Sequence, residues 1–192
     1  MISIDDKIEE YGQAELDSLI ASLPPWRRER AVRHVSAAGR LQNAVAFRLL
    51  QQAVRDFAGL AEVPEFAYTD SGKPFFREYP RLHFSLSHCD KAVACAVSDN
   101  PVGIDVETFR PFKDRLARYV CSDEEYKAVT ASSEPSQAFI ELWTRKESLC
   151  KLLGSGIAGQ NNIKTVIERH DCDFTTQVNH DKGYVVTLCE LK

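Results

Sequence analysis

Two pairs of charged residues, about forty residues apart, have the residue types needed for metal and phosphate chemistry. Asp105 and Glu107 are two residues apart in a predicted strand, so both carboxylates point to the same face. Glu147 and Lys151 are four residues apart in a predicted helix, so they emerge one turn from each other. Two or three carboxylate oxygens, together with phosphate oxygens and water, suit Mg²⁺. If Glu147 approaches the strand acids, the set becomes a phosphate-handling metal site with Lys151 beside it.

Each of these features also has a purely structural interpretation. A Glu–Lys pair at this helical spacing is commonly an exposed salt bridge worth about 0.2–0.5 kcal/mol. Ser87 and His88 end a predicted strand at a turn, where they could reach a ligand or where the histidine could bond a backbone carbonyl. Lys73, in a Gly-Lys-Pro turn, is either a phosphate contact or a solvated turn residue. Spacing alone leaves these alternatives open.

Length and composition are those of a globular protein with a substantial core. The 192 residues are 44% hydrophobic and 27% charged, enough for one domain or two small ones. Since no apolar run has the length of a membrane span and no signal-peptide pattern opens the chain, we expect a cytoplasmic protein. The six cysteines lack ligand-like spacing, which argues against a zinc site and against a disulfide scaffold.

The early helical region is rich in arginine, although the net charge is −4. Such a basic stripe can face nucleic acid, an anionic cofactor, an acidic protein or only solvent. The arginines concerned are Arg27, Arg28, Arg30, Arg33, Arg40, Arg48 and Arg55.

The order of the predicted helices and strands favours an α+β fold with antiparallel sheet. We predict a short helix over 12–22, a basic helix from 26, and a longer helix whose core face includes Leu41, Val45, Leu49 and Phe57. Strands follow over 82–88, 92–97 and 102–107. The only internal echo, between 92–97 and 184–189, is too weak to establish a repeat.

The second half begins with a capping box, in which Ser122 and Glu125 open a helix. Start and stop signals at Ser133, Pro135 and Gly154 bound the helix that carries Glu147 and Lys151. Short strands are predicted near 163–168, 172–178 and 183–190, with a hairpin turn at 181–183. The buried stripe of the long helix is predicted to be Phe139, Ile140, Trp143, Leu149, Leu152 and Leu153.

Four motifs, taken in order, resemble those of the 4′-phosphopantetheinyl transferases. They are residues 72–74 (GKP), 84–88 (FSLSH), 102–107 (VGIDVE) and 143–151 (WTRKESLCK). The resemblance spans residues 23–158, and the layout is similar to the longer, pseudo-dimeric class that activates surfactin synthetase. It implies two similar α+β halves with antiparallel sheets, related by a pseudo-twofold. The halves would be residues 1–100 and residues 101–192, the latter carrying the metal and catalytic motifs.

The resemblance also implies a role for each motif residue. The ligands of Mg²⁺, or alternatively Mn²⁺, would be Asp105, Glu107 and Glu147. Glu147, directly or through water, would take the proton of the acceptor serine, and Lys151 would offset charge on the leaving diphosphate. Glu125 matches an acidic position that supports the site. The contacts to coenzyme A would be Arg27, Arg30, Lys73, Ser87, His88, Asp105 and Lys151.

The implied reaction moves the 4′-phosphopantetheine group from coenzyme A to a serine of an apo acyl carrier or peptidyl carrier protein, and releases 3′,5′-ADP. We expect a monomer with no nucleic-acid or membrane partner, and an acidic carrier would give the arginine-rich surface a use. Where the family motif continues with serine, this chain has Thr144, which keeps the hydroxyl. Two other functions compete: a metal-dependent phosphodiesterase, and a non-catalytic module that binds coenzyme A or a carrier.

Overall fold

The computed structural model describes residues 1–155, 164 and 171–192. The predicted strand near 163–168 therefore lies outside the described residues, apart from the single residue 164. In the described part, strands form two three-stranded antiparallel sheets and a short two-stranded hairpin, with helices between the strands. The predicted α+β fold with antiparallel sheets is confirmed.

The elements alternate between helical and strand segments along the chain. Those of the first part are β1 (Ile2–Asp5), a 3₁₀ turn (Ile8–Glu10), α1 (Gln13–Ser22), α2 (Pro25–Val32), α3 (Ala37–Ala58), β2 (Phe66–Tyr68), β3 (Pro74–Phe76), β4 (His83–His88) and β5 (Val93–Ser98). Those of the second part are β6 (Val102–Thr108), α4 (Asp114–Val120), α5 (Asp123–Ala131), α6 (Pro135–Leu153), β7 (Cys172–Asn179) and β8 (Tyr184–Leu191).

The two larger sheets have the same topology. In the first, β1 pairs antiparallel with β5, and β5 pairs with β4. In the second, β6 pairs antiparallel with β8, and β8 pairs with β7. In each half, the chain forms one strand, then a segment containing helices, then a hairpin. The second strand of the hairpin lies in the middle of the three-stranded sheet. The faint sequence echo of 92–97 with 184–189 falls on β5 and β8, the equivalent middle strands. Two folding units with a boundary near residue 100 remain a prediction.

The long helices α3 and α6 begin and end at the residues their capping chemistry favours. The Ser36 hydroxyl accepts the Gly39 N–H at the start of α3, and Pro135 occupies the first turn of α6. Gly59 and Gly154 end the two helices with φ of 69° and 74°, a left-handed conformation that favours glycine. The predicted start at Ser133 is one residue early, because Glu134 takes the N-cap position.

The apolar stripes are confirmed except at their C-terminal ends. Phe139, Ile140, Leu149 and Leu152 are buried, and Trp143 is half-buried. Two predictions are wrong, since Phe57 and Leu153 are 37% and 40% exposed. Both lie in the last turn of a helix. The apolar periodicity of the sequence extends to these positions, but no neighbouring element in the described part of the chain covers their side chains there.

The two sheets meet where β6 lies beside β4 and β5. The Val102, Ile104 and Val106 side chains pack in one cluster with Ala94 and Ala96 of β5, and all are buried. These side chains occupy one face of β6, so Gly103, Asp105 and Glu107 occupy the other. The apolar contact between the sheets thus directs the acidic face of β6 towards α6.

Serine side chains complete the contact between β4 and β6. The Ser85 hydroxyl accepts the Ile104 N–H at 3.0 Å, and the Ser87 hydroxyl accepts the Val106 N–H at 3.2 Å. Buried backbone donors need partners, and here two hydroxyls on one face of β4 supply them. The alternating serines of the motif at 84–88 therefore join the two sheets.

No helix in residues 1–155 or 171–192 combines the length and the apolar character that crossing a membrane requires.

Candidate active site

Gly103 lets β6 lie directly on the backbone of α6. A Cβ atom at this position would lie 2.0 Å from the Ser148 carbonyl oxygen and 2.5 Å from the Leu152 nitrogen. Real Cβ atoms do not approach other atoms so closely, so only glycine fits without displacing one element. This close approach brings the acids of β6 next to the acid and lysine of α6.

A buried ionic cluster forms where β4, β6 and α6 meet. The Lys151 ammonium donates to Asp105 Oδ1 at 2.7 Å and to the Ser87 hydroxyl at 2.7 Å. The Ser87 hydroxyl in turn donates to Asp105 Oδ1 at 2.8 Å. Asp105 is only 3% exposed, and its Oδ2 has no hydrogen-bond partner among the described residues. The cluster therefore contains a buried carboxylate oxygen that is available to a ligand.

Glu147 and Lys151 do not form the salt bridge that their spacing allows; no ion pair joins them in the described part of the chain. Burial raises the pKa of Glu147 to about 7, and the nearby carboxylates of Asp105 and Glu107 add to this effect, which Lys151 partly offsets. An exposed helical salt bridge would not have this property. The interpretation of the pair as a surface salt bridge is therefore wrong.

Glu107 lies beside the same cluster. Burial and the Asp105 charge raise the pKa of Glu107, and Arg110, Lys151 and Trp143 partly offset the shift. Arg110 Nη2 lies 3.7 Å from Glu107 Oε2. Burial and the Asp105 charge thus disfavour ionisation of both Glu107 and Glu147 beside Lys151.

The donor set of these acids fits a hard divalent cation. All three supply carboxylate oxygen, the ligand type that Mg²⁺ prefers, and one buried oxygen of Asp105 has no partner within residues 1–155, 164 and 171–192. In the same residues, no three His, Cys, Asp or Glu side chains are arranged at metal-holding positions. The Lys151 ammonium instead contacts Asp105. These three residues therefore offer oxygen atoms of the chemistry that such a cation would need, and the Lys151 ammonium contacts the most buried of them, Asp105.

Lys73 packs against the C-terminal end of α6. Its ammonium donates to the Leu152 carbonyl at 2.6 Å, where a cation also complements the helix dipole. Burial lowers the pKa of Lys73. Lys73, Lys151, Ser85 and Gly154 are among the residues lining a pocket of about 240 Å³. The predicted phosphate contacts Lys73 and Lys151 therefore share one pocket.

His88 ends β4 and has an exposed side chain beside this cluster. Partial desolvation, followed by the positive charge of Lys151 and the neighbouring His34, lowers its pKa. The imidazole is therefore mainly neutral at pH 7, and it can donate or accept one hydrogen bond without adding charge.

Arg27 and Arg30 lie outside the cluster. Arg27 is 5% exposed, its guanidinium lies over the rings of Phe47 and Phe66, and burial lowers its pKa to about 10. Its Nε has no partner within the described residues. Arg30 bonds the Tyr68 hydroxyl and lines a separate pocket of about 560 Å³. The structure therefore separates these predicted coenzyme contacts from Lys73 and Lys151.

The basic stripe is partly used within the protein. Arg28 donates to the carbonyls of Ala21 and Leu23, and Arg48 pairs with Asp5. Several arginines of this region therefore stabilise the first half, and they do not form one continuous free surface.

Sequence interpretation missed a chain of buried hydroxyls that holds α6 to the second sheet. Thr144 Oγ1 lies 2.8 Å from Thr187 Oγ1, which lies 3.0 Å from Thr176 Oγ1. Thr144 and Thr187 are fully buried. The sequence showed only that Thr144 keeps the hydroxyl of the family motif. The contact with Thr187 could not be predicted, because β8 is distant in the sequence.

Replacing Thr144 with valine should lower the free energy of unfolding by about 1 kcal/mol, because a buried hydroxyl pair is lost at nearly constant volume. Urea denaturation measures the change. Thr130→Val, at an exposed hydroxyl on α5, is the matched control and should shift the midpoint much less. Equal shifts for both variants would contradict a stabilising role for the Thr144–Thr187 contact.

Comparison with known proteins identifies the family. A family model described as the 4′-phosphopantetheinyl transferase superfamily matches residues 101–189. The 4′-phosphopantetheinyl transferase AcpT of Salmonella typhimurium is 36% identical over 170 residues, which cover 83% of this chain and 79% of that protein. The chain belongs to this superfamily.

Other 4′-phosphopantetheinyl transferases are similar over comparable lengths. One from Bacillus subtilis is 29% identical over 191 residues, covering 91% of this chain and 85% of that protein. Another, psf-1 of Bacillus pumilus, is 40% identical over 142 residues, covering 66% and 60%. The family resemblance carried by the four motifs is therefore confirmed. The transferase motifs that bear Asp105, Glu107, Glu147 and Lys151 lie within the matched segment.

Proposed function

We propose that this enzyme transfers the 4′-phosphopantetheine group from coenzyme A to a serine hydroxyl of an apo acyl carrier or peptidyl carrier protein. Membership of the transferase family supports the reaction. The observation that carries the assignment of the site is the buried Lys151–Asp105–Ser87 cluster, with Glu147 beside it. A metal-dependent phosphodiesterase could also use acids and a lysine, but it usually needs more metal ligands than these three acids, and the intact acids and Lys151 argue against a binding module.

The cation would be Mg²⁺, or alternatively Mn²⁺, held by Asp105, Glu107 and Glu147. When bound, it would neutralise phosphate oxygens and orient the diphosphate. Two observations support this: the unpartnered Asp105 Oδ2 within the described residues, and the raised pKa values of Glu107 and Glu147. Carboxylates that repel one another in the free protein are those that gain most from a cation.

The chain's own residues account for the rest of the reaction. The serine oxygen attacks the phosphorus that carries pantetheine, the bond from that phosphorus to the bridging oxygen breaks, and 3′,5′-ADP leaves with that oxygen. Lys151 offsets the charge that develops on the departing 5′-phosphate of 3′,5′-ADP, because phosphoryl transfer depends mainly on positioning and electrostatics. Glu147, directly or through water, accepts the serine proton.

Coenzyme A would lie along the Lys73 side of the cluster. Lys73 and Lys151 line one pocket there, and Ser87 and His88 end the adjacent strand. Arg27 and Arg30 would contact the phosphates of the nucleotide end. Arg27 supports this role as a buried guanidinium whose Nε has no partner among the described residues.

We propose a monomer that acts in the cytoplasm without a nucleic-acid or membrane partner. Ser87 on β4, Asp105 on β6 and Lys151 on α6 meet within one chain, so a second copy need not complete the cluster. The division into halves at residues 1–100 and 101–192 is part of the same proposal, and the shared topology of the two sheets supports it.

The test is incubation of a panel of apo carrier proteins with coenzyme A and Mg²⁺, followed by intact-mass measurement. We expect a gain of one phosphopantetheine group on a carrier serine and release of 3′,5′-ADP. Glu147→Gln should reduce the rate by about a hundredfold or more, in the range of a lost general base. Glu141→Gln, on the same helix, is the matched control and should keep the wild-type rate.

The competing functions predict different results. Release of 3′,5′-ADP without any carrier would favour a phosphodiesterase. Coenzyme A binding that is indifferent to Mg²⁺, without a mass gain on any carrier, would favour a binding module and contradict the proposal.

A further inference from the structure

Asp6, which directly follows β1 in the first half, binds the β7–β8 turn (residues 180–183) in the second half. The Lys182 ammonium donates to Asp6 Oδ1 at 3.0 Å and to the Asp6 carbonyl oxygen at 2.7 Å. The Tyr184 hydroxyl donates to the other carboxylate oxygen, Oδ2, at 3.1 Å. One acidic residue of the first half therefore contacts both this turn and the first residue of β8.

The Asp6 contact is more than an exposed ion pair. The hydrogen bond from Lys182 lowers the pKa of Asp6 more than burial raises it, so the carboxylate is ionised at neutral pH. Tyr184 is buried, and a buried hydroxyl needs a hydrogen-bond partner. Hydrogen bonds to an ionised acceptor are stronger than those between neutral groups. Asp6 therefore holds the turn through one ammonium and one buried hydroxyl.

The β7–β8 turn has a fixed internal shape. Gly183 has a φ of 73°, a left-handed conformation that favours glycine. Its N–H donates to the Asn179 carbonyl at 2.8 Å, and the Lys182 N–H donates to the Asn179 side-chain oxygen at 3.0 Å. Because these bonds close the turn on itself, we expect it to move as one piece when its support changes.

The same turn supports the chain immediately after Glu107. Thr108, the last residue of β6, lies opposite Tyr184 in the sheet. The Phe109 N–H donates to the Gly183 carbonyl at 2.8 Å. A displacement of the turn is therefore passed to the end of β6, where Glu107 lies.

The other two acids of the proposed cation site have supports of their own. The Asp105 carboxylate is held by hydrogen bonds from β4 and α6. Glu147 lies within α6, far from the ends of β7 and β8 in the chain. Loss of the Asp6 contact should therefore displace Glu107 more than Asp105 or Glu147.

We propose that Asp6 is a positioning residue that, through the β7–β8 turn, fixes the end of β6 and with it the cation ligand Glu107. This inference rests on the proposed cation site of Asp105, Glu107 and Glu147. Groups that orient a metal ligand by a direct hydrogen bond change metal affinity by about 10–100-fold when they are removed. A support that acts through one further element should have a smaller effect.

The test measures binding of Mg²⁺ alone to the full chain, by calorimetry and by the rise in the unfolding midpoint with added MgCl₂. We expect Asp6→Ala to raise the Kd for Mg²⁺ by about threefold to tenfold, below the effect of a direct support. The Kd for coenzyme A without Mg²⁺ should change less than about twofold, because Glu107 is not a proposed coenzyme contact. Asp181→Ala, at an exposed acid of the same turn, is the matched control and should change neither quantity.

A double-variant cycle tests the route through Glu107. In a Glu107→Gln protein, which lacks the ligand charge, Asp6→Ala should raise the Kd for Mg²⁺ no further. Asp6→Asn keeps the shape of the side chain and one oxygen for the Tyr184 hydroxyl. It should act in the same direction by a smaller factor, which keeps the test decisive if Asp6→Ala folds poorly. Melting curves identify the folded variants.

Three results would overturn the inference: an unchanged Kd for Mg²⁺ in a folded Asp6 variant, an equal loss of affinity for Mg²⁺ and coenzyme A, or the full effect of Asp6→Ala in the Glu107→Gln protein. Absence of Mg²⁺ binding by the wild type would overturn it together with the proposed cation site. Absence of transfer by a wild type that binds Mg²⁺ would contradict only the proposed transfer.

Discussion

Gly103→Ala should lower the free energy of unfolding by about 3 kcal/mol, at the upper end of the range for overpacking. The added methyl group would lie 2.0 Å from the Ser148 carbonyl oxygen, which is backbone and cannot rotate away. Strand β6 and helix α6 must therefore separate. Because Asp105 lies on one element and Lys151 on the other, separation also disrupts the cluster. Transfer should fall by about a hundredfold or more, as expected for a displacement near 1 Å.

Urea denaturation and the mass-based transfer assay measure the two effects together. Gly39→Ala is the matched control, since the nearest atom to its added Cβ is the rotatable Ser36 hydroxyl at 3.0 Å. Its effect on stability should stay below about 1 kcal/mol, because alanine suits a helix better than glycine. A Gly103→Ala protein with the wild-type midpoint and rate would show that the strand and helix do not need their close approach.

Glu147→Gln should make the metal-free protein more stable while nearly abolishing its activity. The folded-state pKa of Glu147 is raised to about 7 from its ordinary value of 4.5, chiefly by burial and then by Asp105. Below pH 4.5 the carboxyl is protonated in both the folded and the unfolded states, so the shift costs nothing. Above pH 7 it is ionised in both, and the folded state bears the full cost, about 3 kcal/mol.

Unfolding midpoints of both proteins from pH 4 to pH 8, without divalent cations, measure this cost. The stability of the wild type relative to Glu147→Gln should fall as the pH rises from 4.5 to 7. Added Mg²⁺ should narrow the difference at pH 8, because a cation favours the ionised carboxylates. Glu141→Gln, also on α6, is the control for the loss of one carboxylate. Loss of stability in Glu147→Gln at pH 8 would instead mean that Glu147 makes a favourable ion pair.

The acidic face of β6 and the spacing of α6 could be predicted from sequence because both depend on local periodicity. Alternation places Asp105 and Glu107 together, and a helical turn separates Glu147 from Lys151. The partner of Lys151 could not be predicted, because Asp105 and Ser87 are 46 and 64 residues away. Periodicity shows which side chains share a face, but only tertiary packing decides what that face contacts.

The burial of Lys146 also could not be predicted from the sequence. Lys146 stands between Arg145 and Glu147 in a charged run, where an exposed helix face is the ordinary expectation. Its burial depends on contact with the end of α4, and neither a motif nor a strong periodicity in the sequence predicted that helix. Strand β1 was missed for a related reason: its partner β5 lies about ninety residues further along the chain. The close approach of Gly103 to α6 was also not predicted, because a glycine in a strand does not specify which element lies against it.

The positions of the two tryptophans give the protein two separate optical reporters. Trp26 packs against Phe47 and Phe66 in the core of the first half. Trp143 and Glu107 line one pocket of about 110 Å³, and Trp143 packs against Phe139. In a Trp26→Phe protein, the remaining indole fluorescence comes from the pocket beside the acids. Its emission should therefore change when a ligand binds beside these acids, and it can be followed in real time without an attached dye.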